Sequence, residues 1–282
     1  MAWLTTILAC AYLVYKLCAY DQWEQLGASL AEADAVAWTC GVVALLLMPL
    51  NMLLEAWRWQ FLMGNLSLRE AQRQVYFSKL AGQLTPYQVG EYPARGLLIR
   101  DTPWSEVISK GIVGSVTMTL AIILVGIVPL LIWLGDGRWQ TDWVLYGLIL
   151  LSVIQLALLL PRLLRRWIEL NYRMLFVSVG QSLLRYMCWC VQFALVLRLF
   201  GMAPMAEWLV LIPVYYLLVT VAPTVSVAEA GVRGAVAIFV FGSVEAVLAG
   251  VLLWAINSLL PILVGSFVDK NAKIFGNLKK NA

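Results

Sequence analysis

Six long apolar runs decide what this chain can fold into. They are Trp3–Tyr20, Val36–Leu54, Val107–Trp133, Trp143–Leu160, Met174–Leu199 and Val244–Val268. At about 1.5 Å per helical residue each is long enough to cross roughly 30 Å of hydrocarbon. A soluble core has no room for six such helices, and the charge content agrees. Only 13% of the 282 residues are charged, about half of the roughly 25% that soluble domains carry. Mean hydropathy is +0.83. Trp3, Tyr20, Trp38, Trp133, Trp143 and Trp208 fall near the ends of apolar stretches, where amphipathic rings sit at headgroup level. The first run lacks a basic leader and an A-x-A site, so it is expected to stay as a helix.

Two further segments are too broken to be clean spans. Residues 67–101 contain Gly82, Pro86, Gly90, Pro93 and Gly96, and residues 208–242 contain Pro213, Pro223, Ser226, Glu229, Gly231 and Arg233. Basic residues cluster in 55–110, in 161–173 and in the tail, whereas loop 21–35 holds four acids and no Lys or Arg. The positive-inside rule then puts the three basic regions and both termini in the cytoplasm. The alternation closes if 67–101 re-enters from the cytoplasmic side and 208–242 from outside. The expected fold is an all-α integral membrane protein: one polytopic domain over 1–282, with about six transmembrane helices and two re-entrant broken-helix hairpins.

Several chemistries are excluded. The chain has no histidine, which removes a His-ligated zinc protease and a Ser-His hydrolase. Its five cysteines lie in or beside apolar runs without C-x-x-C spacing, as small fillers of helix interfaces do. No G-x-x-x-x-G-K-[ST] loop occurs, and no cofactor is expected. The net charge of +4 is placed by topology and forms no nucleic-acid patch.

The informative charges lie where charge is expensive. Asn51, Glu55 and Arg58 share one helix face at i, i+4, i+7. The first broken segment reads Thr85-Pro86-Tyr87-Gln88-Val89-Gly90-Glu91-Tyr92-Pro93-Ala94-Arg95. The second runs from Pro223 through Ser226 to Glu229, Gly231 and Arg233. Each has a proline, then a Glu, then an Arg four residues on. Helical geometry would set Glu91 beside Arg95 and Glu229 beside Arg233, with Pro93 a complication in the first pair. One pattern in two halves entering from opposite faces is what an inverted repeat leaves behind. A charge at the bilayer centre costs about 2.5–3.5 kcal/mol on insertion scales, so such pairs mark a substrate path or else lock the broken helices together. Gln181, Arg185 and Gln192 lie in the fifth run, and Arg185 has no acidic partner in its own helix. Glu229, Glu91 and an anionic ligand are all open to it. Asn257 and Pro261 suit a kink in the last run.

These motifs together resemble the lysylphosphatidylglycerol synthase transmembrane-region family, the flippase-like membrane domain also found in the multiple peptide resistance factor. The resemblance rests on Asn51-x-x-x-Glu55-x-x-Arg58-Trp59, on Thr85-Pro86 with Gly90-Glu91 and Arg95, and on Glu229-x-Gly231-Val232-Arg233, and covers roughly residues 40–265. It implies a multi-pass domain of the plasma (bacterial inner) membrane that moves a lipid between leaflets. The lipid would be an anionic or zwitterionic phospholipid. Two-domain relatives add a soluble aminoacyltransferase, which is not expected here. Synthase activity is therefore not expected either, and a separate lipid-modifying enzyme would be the partner. On this view Arg95, Arg233 and Arg58 or Arg185 neutralise a lipid phosphate, while Glu91, Glu229 and Glu55 orient them. Three rivals stand beside it. A membrane-embedded enzyme on a lipid-linked phosphate would use Glu91 or Glu229 as base. A small-solute transporter would show a closed pocket, and a scaffold would be dry around Glu91 and Arg95.

Overall fold

The computed structural model describes residues 33–85, 88–99, 102–135, 172–222 and 229–268, together with isolated positions 11, 14, 15 and 18. Among the described residues every element is helical. Helix α1 (Ala35–Met63) starts where the Asp34 carboxylate accepts the Ala37 N–H at 2.7 Å and ends at Gly64, whose φ of 78° suits a residue without Cβ. Helix α2 (Leu68–Gln83) opens with a reciprocal capping box between Ser67 and Glu70. The Ser67 hydroxyl, and then its N–H, hold the Glu70 carboxyl below the usual carboxylate range.

A short helix α3 (Glu91–Gly96) follows. Pro93 does not break it, because it occupies the first turn, where a missing N–H leaves no bond unmade. Then come α4 (Trp104–Gly135), α5 (Tyr172–Leu199), α6 (Trp208–Val221) and α7 (Glu229–Phe241). The last stretch is α8 (Val244–Trp254), a π-helical turn (Ala255–Leu259) and α9 (Leu260–Val268). The Leu260 N–H bonds to the Ala255 carbonyl five residues back. Pro261 follows directly, with no N–H to give the Asn257 carbonyl four residues before it.

Among the described residues, four helical stretches are long and apolar enough to cross a membrane: Ala35–Met63, Trp104–Gly135, Tyr172–Leu199 and Val244–Gly265. They coincide with four of the six expected runs, the architecture of an all-α membrane protein. The runs at 3–20 and 143–160, the loop at 161–171 and the cationic tail lie outside the described residues, the isolated positions excepted. Outward faces are apolar. On α1, Val42, Leu46 and Leu50 are exposed, and on α4, Leu124, Val128 and Leu131. Polar residues are inside, with Asn51, Glu55, Arg58, Arg95, Arg185 and Gln192 all buried. That inversion of the soluble pattern belongs to a protein solvated by lipid.

Helix α1 packs along α5, α4 rests on α5 and α6, and α7 lies between α6 and α8. Helix α2 touches α1, α3 and α9. One core gathers Phe193, Tyr215 and Tyr216 with α4, α7 and α8; Phe193 and Tyr215 stack with centroids 4.6 Å apart. A smaller core joins Met52, Trp59 and Leu62 to Val75 and Val107.

Helices α2 and α9 meet closely at Gly265, where an added Cβ would lie 2.6 Å from the Tyr76 carbonyl oxygen. Backbone cannot step aside as a side chain can. Gly265→Ala is expected to cost about 1–3 kcal/mol, as overpacking does. At Gly180 on α5 a Cβ meets nothing within 4 Å, so Gly180→Ala is expected to be neutral or stabilising. Unfolding titrations in SDS of the two variants check the contrast.

Candidate functional site

The face of α1 that carries Asn51, Glu55 and Arg58 turns into the molecule, and Glu55 is the centre of what it meets. Its Oε2 accepts Arg58 Nη2 and Arg185 Nη1, both at 2.5 Å, and its Oε1 accepts Arg95 Nη2 at 2.8 Å. One carboxylate therefore holds guanidiniums from α1, α3 and α5. Arg58 gives Nη1 to Ser182 Oγ at 2.8 Å. Arg185 gives Nε to Asn51 Oδ1 at 2.8 Å, so its partners are Glu55 and Asn51, not Glu91 or Glu229.

A neutral relay continues from there. Asn51 Nδ2 donates to Asn257 Oδ1 at 2.9 Å, Asn257 Nδ2 to Gln192 Oε1 at 2.8 Å, and Gln192 Nε2 to the Ala44 carbonyl at 2.8 Å. The π turn thus presents Asn257 to both α1 and α5, which is more than a kink.

Arg95 carries the network outward. Its Nη2 also reaches Glu91 Oε2 at 3.0 Å, the i, i+4 pair expected from spacing, and Lys79 Nζ lies 2.6 Å from Glu91 Oε1. Two of the guanidiniums sit on indole faces, Arg95 4.8 Å above Trp59 and Arg185 5.0 Å above Trp189. A ring quadrupole stabilises a cation there without neutralising it.

The second expected pair also forms. Arg233 donates Nε and Nη2 to Glu229 Oε1 at 2.9 and 2.7 Å, and Gln88 Nε2 donates to Glu229 Oε2 at 3.3 Å. Gln88 has a φ of 56°, a left-handed conformation uncommon for a residue with a Cβ. It joins the segment before α3 to the start of α7.

All these charges line one cavity of about 380 Å³, within the roughly 300–1,000 Å³ of small-ligand sites. Both cores contribute to its walls, Trp59 and Leu62 from one and Ile122, Tyr216 and Leu253 from the other. Among the described residues that line it, Arg58, Lys79, Arg95, Arg185 and Arg233 are cationic and Glu55, Glu91 and Glu229 are acidic. Arginine stays charged in proteins, so the cavity has more positive charge than negative. A lining of that sign attracts anions more than cations.

No protein-family model matches the chain, and no curated protein matches it.

Of the residues singled out by sequence, Asn51, Glu55, Arg58, Glu91, Arg95, Arg185, Glu229 and Arg233 all face this cavity. Thr85 and Gly90 do not line it; they shape the turn before α3. The Gly90 N–H donates to Thr85 Oγ1 at 2.8 Å, and a Cβ on Gly90 would lie 2.5 Å from the Ala81 carbonyl oxygen. Gly231 is half-buried in α7 and does not line the cavity. Pro86 and Ser226 lie outside the described residues.

Lys79, Gln83, Gln88 and Asn257 are lining residues that the motif reading did not single out as site residues. Lys79 had a signal, as a lone cation on the face of α2 that also buries Val75 and Ser78. Its place in a basic segment made it look topological.

Proposed function

We propose that this protein is a lipid translocase, in which the cavity receives a phosphate-bearing headgroup while the acyl chains stay in the bilayer. The observation that carries the reading is the excess of arginine and lysine over glutamate in a polar cavity enclosed by apolar helices. Guanidinium forks suit phosphate oxygens.

In this reading the two broken segments are re-entrant hairpins. Helices α6 and α7 have 14 and 13 residues. At about 1.5 Å per residue each falls short of roughly 30 Å of hydrocarbon. Glu91 and Glu229 are the first residues of α3 and α7, and each pairs with an arginine four residues on. That correspondence supports an inverted repeat. The resemblance of these motifs to the lysylphosphatidylglycerol synthase transmembrane-region family favours the same reading, and the apolar runs and basic segments favour six spans with both termini in the cytoplasm of a cell whose plasma membrane holds the protein. A scaffold would leave the interior around Glu91 and Arg95 dry, and a cavity of about 380 Å³ there weighs against it.

The test is leaflet exchange of headgroup-labelled phospholipids in proteoliposomes, for the intact protein and for Lys79→Gln and Arg233→Gln. Both substitutions leave the three guanidiniums on Glu55 in place. Each is expected to slow exchange at least tenfold while the protein stays folded. Absence of exchange by the intact protein with every anionic, zwitterionic and aminoacylated lipid tried would defeat the proposal. An enzyme on a lipid-linked phosphate, or a small-solute transporter, would then take its place.

A further inference from the structure

The charge in the cavity is unevenly spread. Around Glu55 and Glu91 stand four cations: Arg58, Arg95 and Arg185 on Glu55, and Lys79 on Glu91. Glu229 and Arg233 cancel one another. The whole surplus, two positive charges among the described lining residues, therefore lies on one side. Unbalanced charge within apolar helices is costly, and a ligand that supplies the missing negative charge removes the cost.

We infer that the cavity is built for a phosphomonoester dianion, carried either by a lipid or by soluble phosphate. A monoester brings about −1.5 to −2 charge at pH 7 and three strong acceptor oxygens. It matches the surplus of two positive charges. A phosphodiester brings a single charge, a zwitterionic headgroup brings none net, and an aminoacylated headgroup adds cations where cations are already in excess. This rests on the reading of the cavity as a headgroup site and names the class of headgroup.

The test uses the full chain in nanodiscs of zwitterionic lipid, titrated with four probes. They are a short-chain diacylglycerol monophosphate, the same lipid with its phosphate capped as a methyl diester, inorganic phosphate, and lysyl-phosphatidylglycerol. The uncapped monophosphate is expected to bind at least tenfold tighter than the capped one, with lysyl-phosphatidylglycerol weaker than either. Lys79→Gln is expected to shrink the capped-to-uncapped ratio several-fold. That ratio in the intact protein needs no variant, so a misfolded Lys79→Gln leaves the test standing.

Equal affinity for the two lipids would overturn the inference, and if the capped lipid is still exchanged between leaflets the translocase reading survives alone. Inorganic phosphate binding as tightly as the lipid would support the dianion, assign it to a soluble source and remove the lipid from the function. No binding by any probe would overturn both.

Discussion

Glu55→Gln is expected to destabilise the protein by about 3–5 kcal/mol, the cost of breaking a buried ionic cluster by removing one partner. The glutamine is nearly isosteric, so the loss is electrostatic and not a packing defect. In the native protein Arg58, Arg95 and Arg185 converge on the two oxygens of this one carboxylate, and all four side chains are at most 10% exposed. Without the charge, Arg58 and Arg185 keep only neutral partners, and Arg95 keeps Glu91 alone. A folded-fraction titration in SDS measures the effect. Glu106 makes the control: it pairs with Lys110 at 2.6 Å but is 47% exposed, and Glu106→Gln is expected to cost no more than about 1 kcal/mol. Pairing Glu55→Gln with Arg58→Gln should cost less than the sum of the two, because the second change removes a charge that the first left unpaired. Equal small effects at Glu55 and Glu106 would mean that the cluster does not hold the helices together.

Trp59→Ala should be the most damaging apolar substitution on α1, about 3–5 kcal/mol as for large-to-small changes of buried aromatic residues. Three separate losses produce it. The ring is 1% exposed, so its removal leaves a void that lipid cannot enter. Its Nε1–H bond to Gln74 Oε1 at 2.7 Å disappears, which orphans a buried amide. Arg95 loses the face it lies over. Two residues earlier on the same helix, Trp57 is 42% exposed. It faces outward, where lipid replaces whatever contact it makes, and Trp57→Ala is expected to change stability by less than about 1 kcal/mol. Leaflet exchange should follow stability in this pair, falling for Trp59→Ala and holding for Trp57→Ala. Exchange that survives Trp59→Ala would show that Arg95 needs no aromatic support.

Much of this arrangement is legible in the residues alone, and the boundary of what is legible has a physical cause. Spans read off as apolar length because lipid accepts little else, so the four that fall within the described residues are where the runs are. Pairs within one helix also read off, since i, i+4 spacing puts Glu91 against Arg95 and Glu229 against Arg233 wherever the helix forms. Arg185 is different. Its contact with Glu55 spans 130 positions, and it depends on how α1 and α5 are rotated about their axes. Periodicity says which residues share a face, but not which faces meet. The same holds for Lys79, whose partner lies across the turn between α2 and α3, and for Asn257, which looked idle until the π turn aimed it at Asn51 and Gln192.

That π turn has one further consequence, in rotational phase. At 3.6 residues per turn, one residue more in a helix amounts to a rotation of about 100°, and the five-residue bond of a π turn takes up one residue more than an α turn. Helices α8 and α9 therefore keep different angular frames although they form one span. Leu253 and Trp254 before the offset face the cavity, as do Asn257 and Ser258 within it. Gly265, beyond it, takes its bearing against α2 from the second frame. Loss of a single residue between 255 and 259 would merge the frames, swinging that glycine off the Tyr76 backbone and carrying the polar relay out of register with both helices it connects.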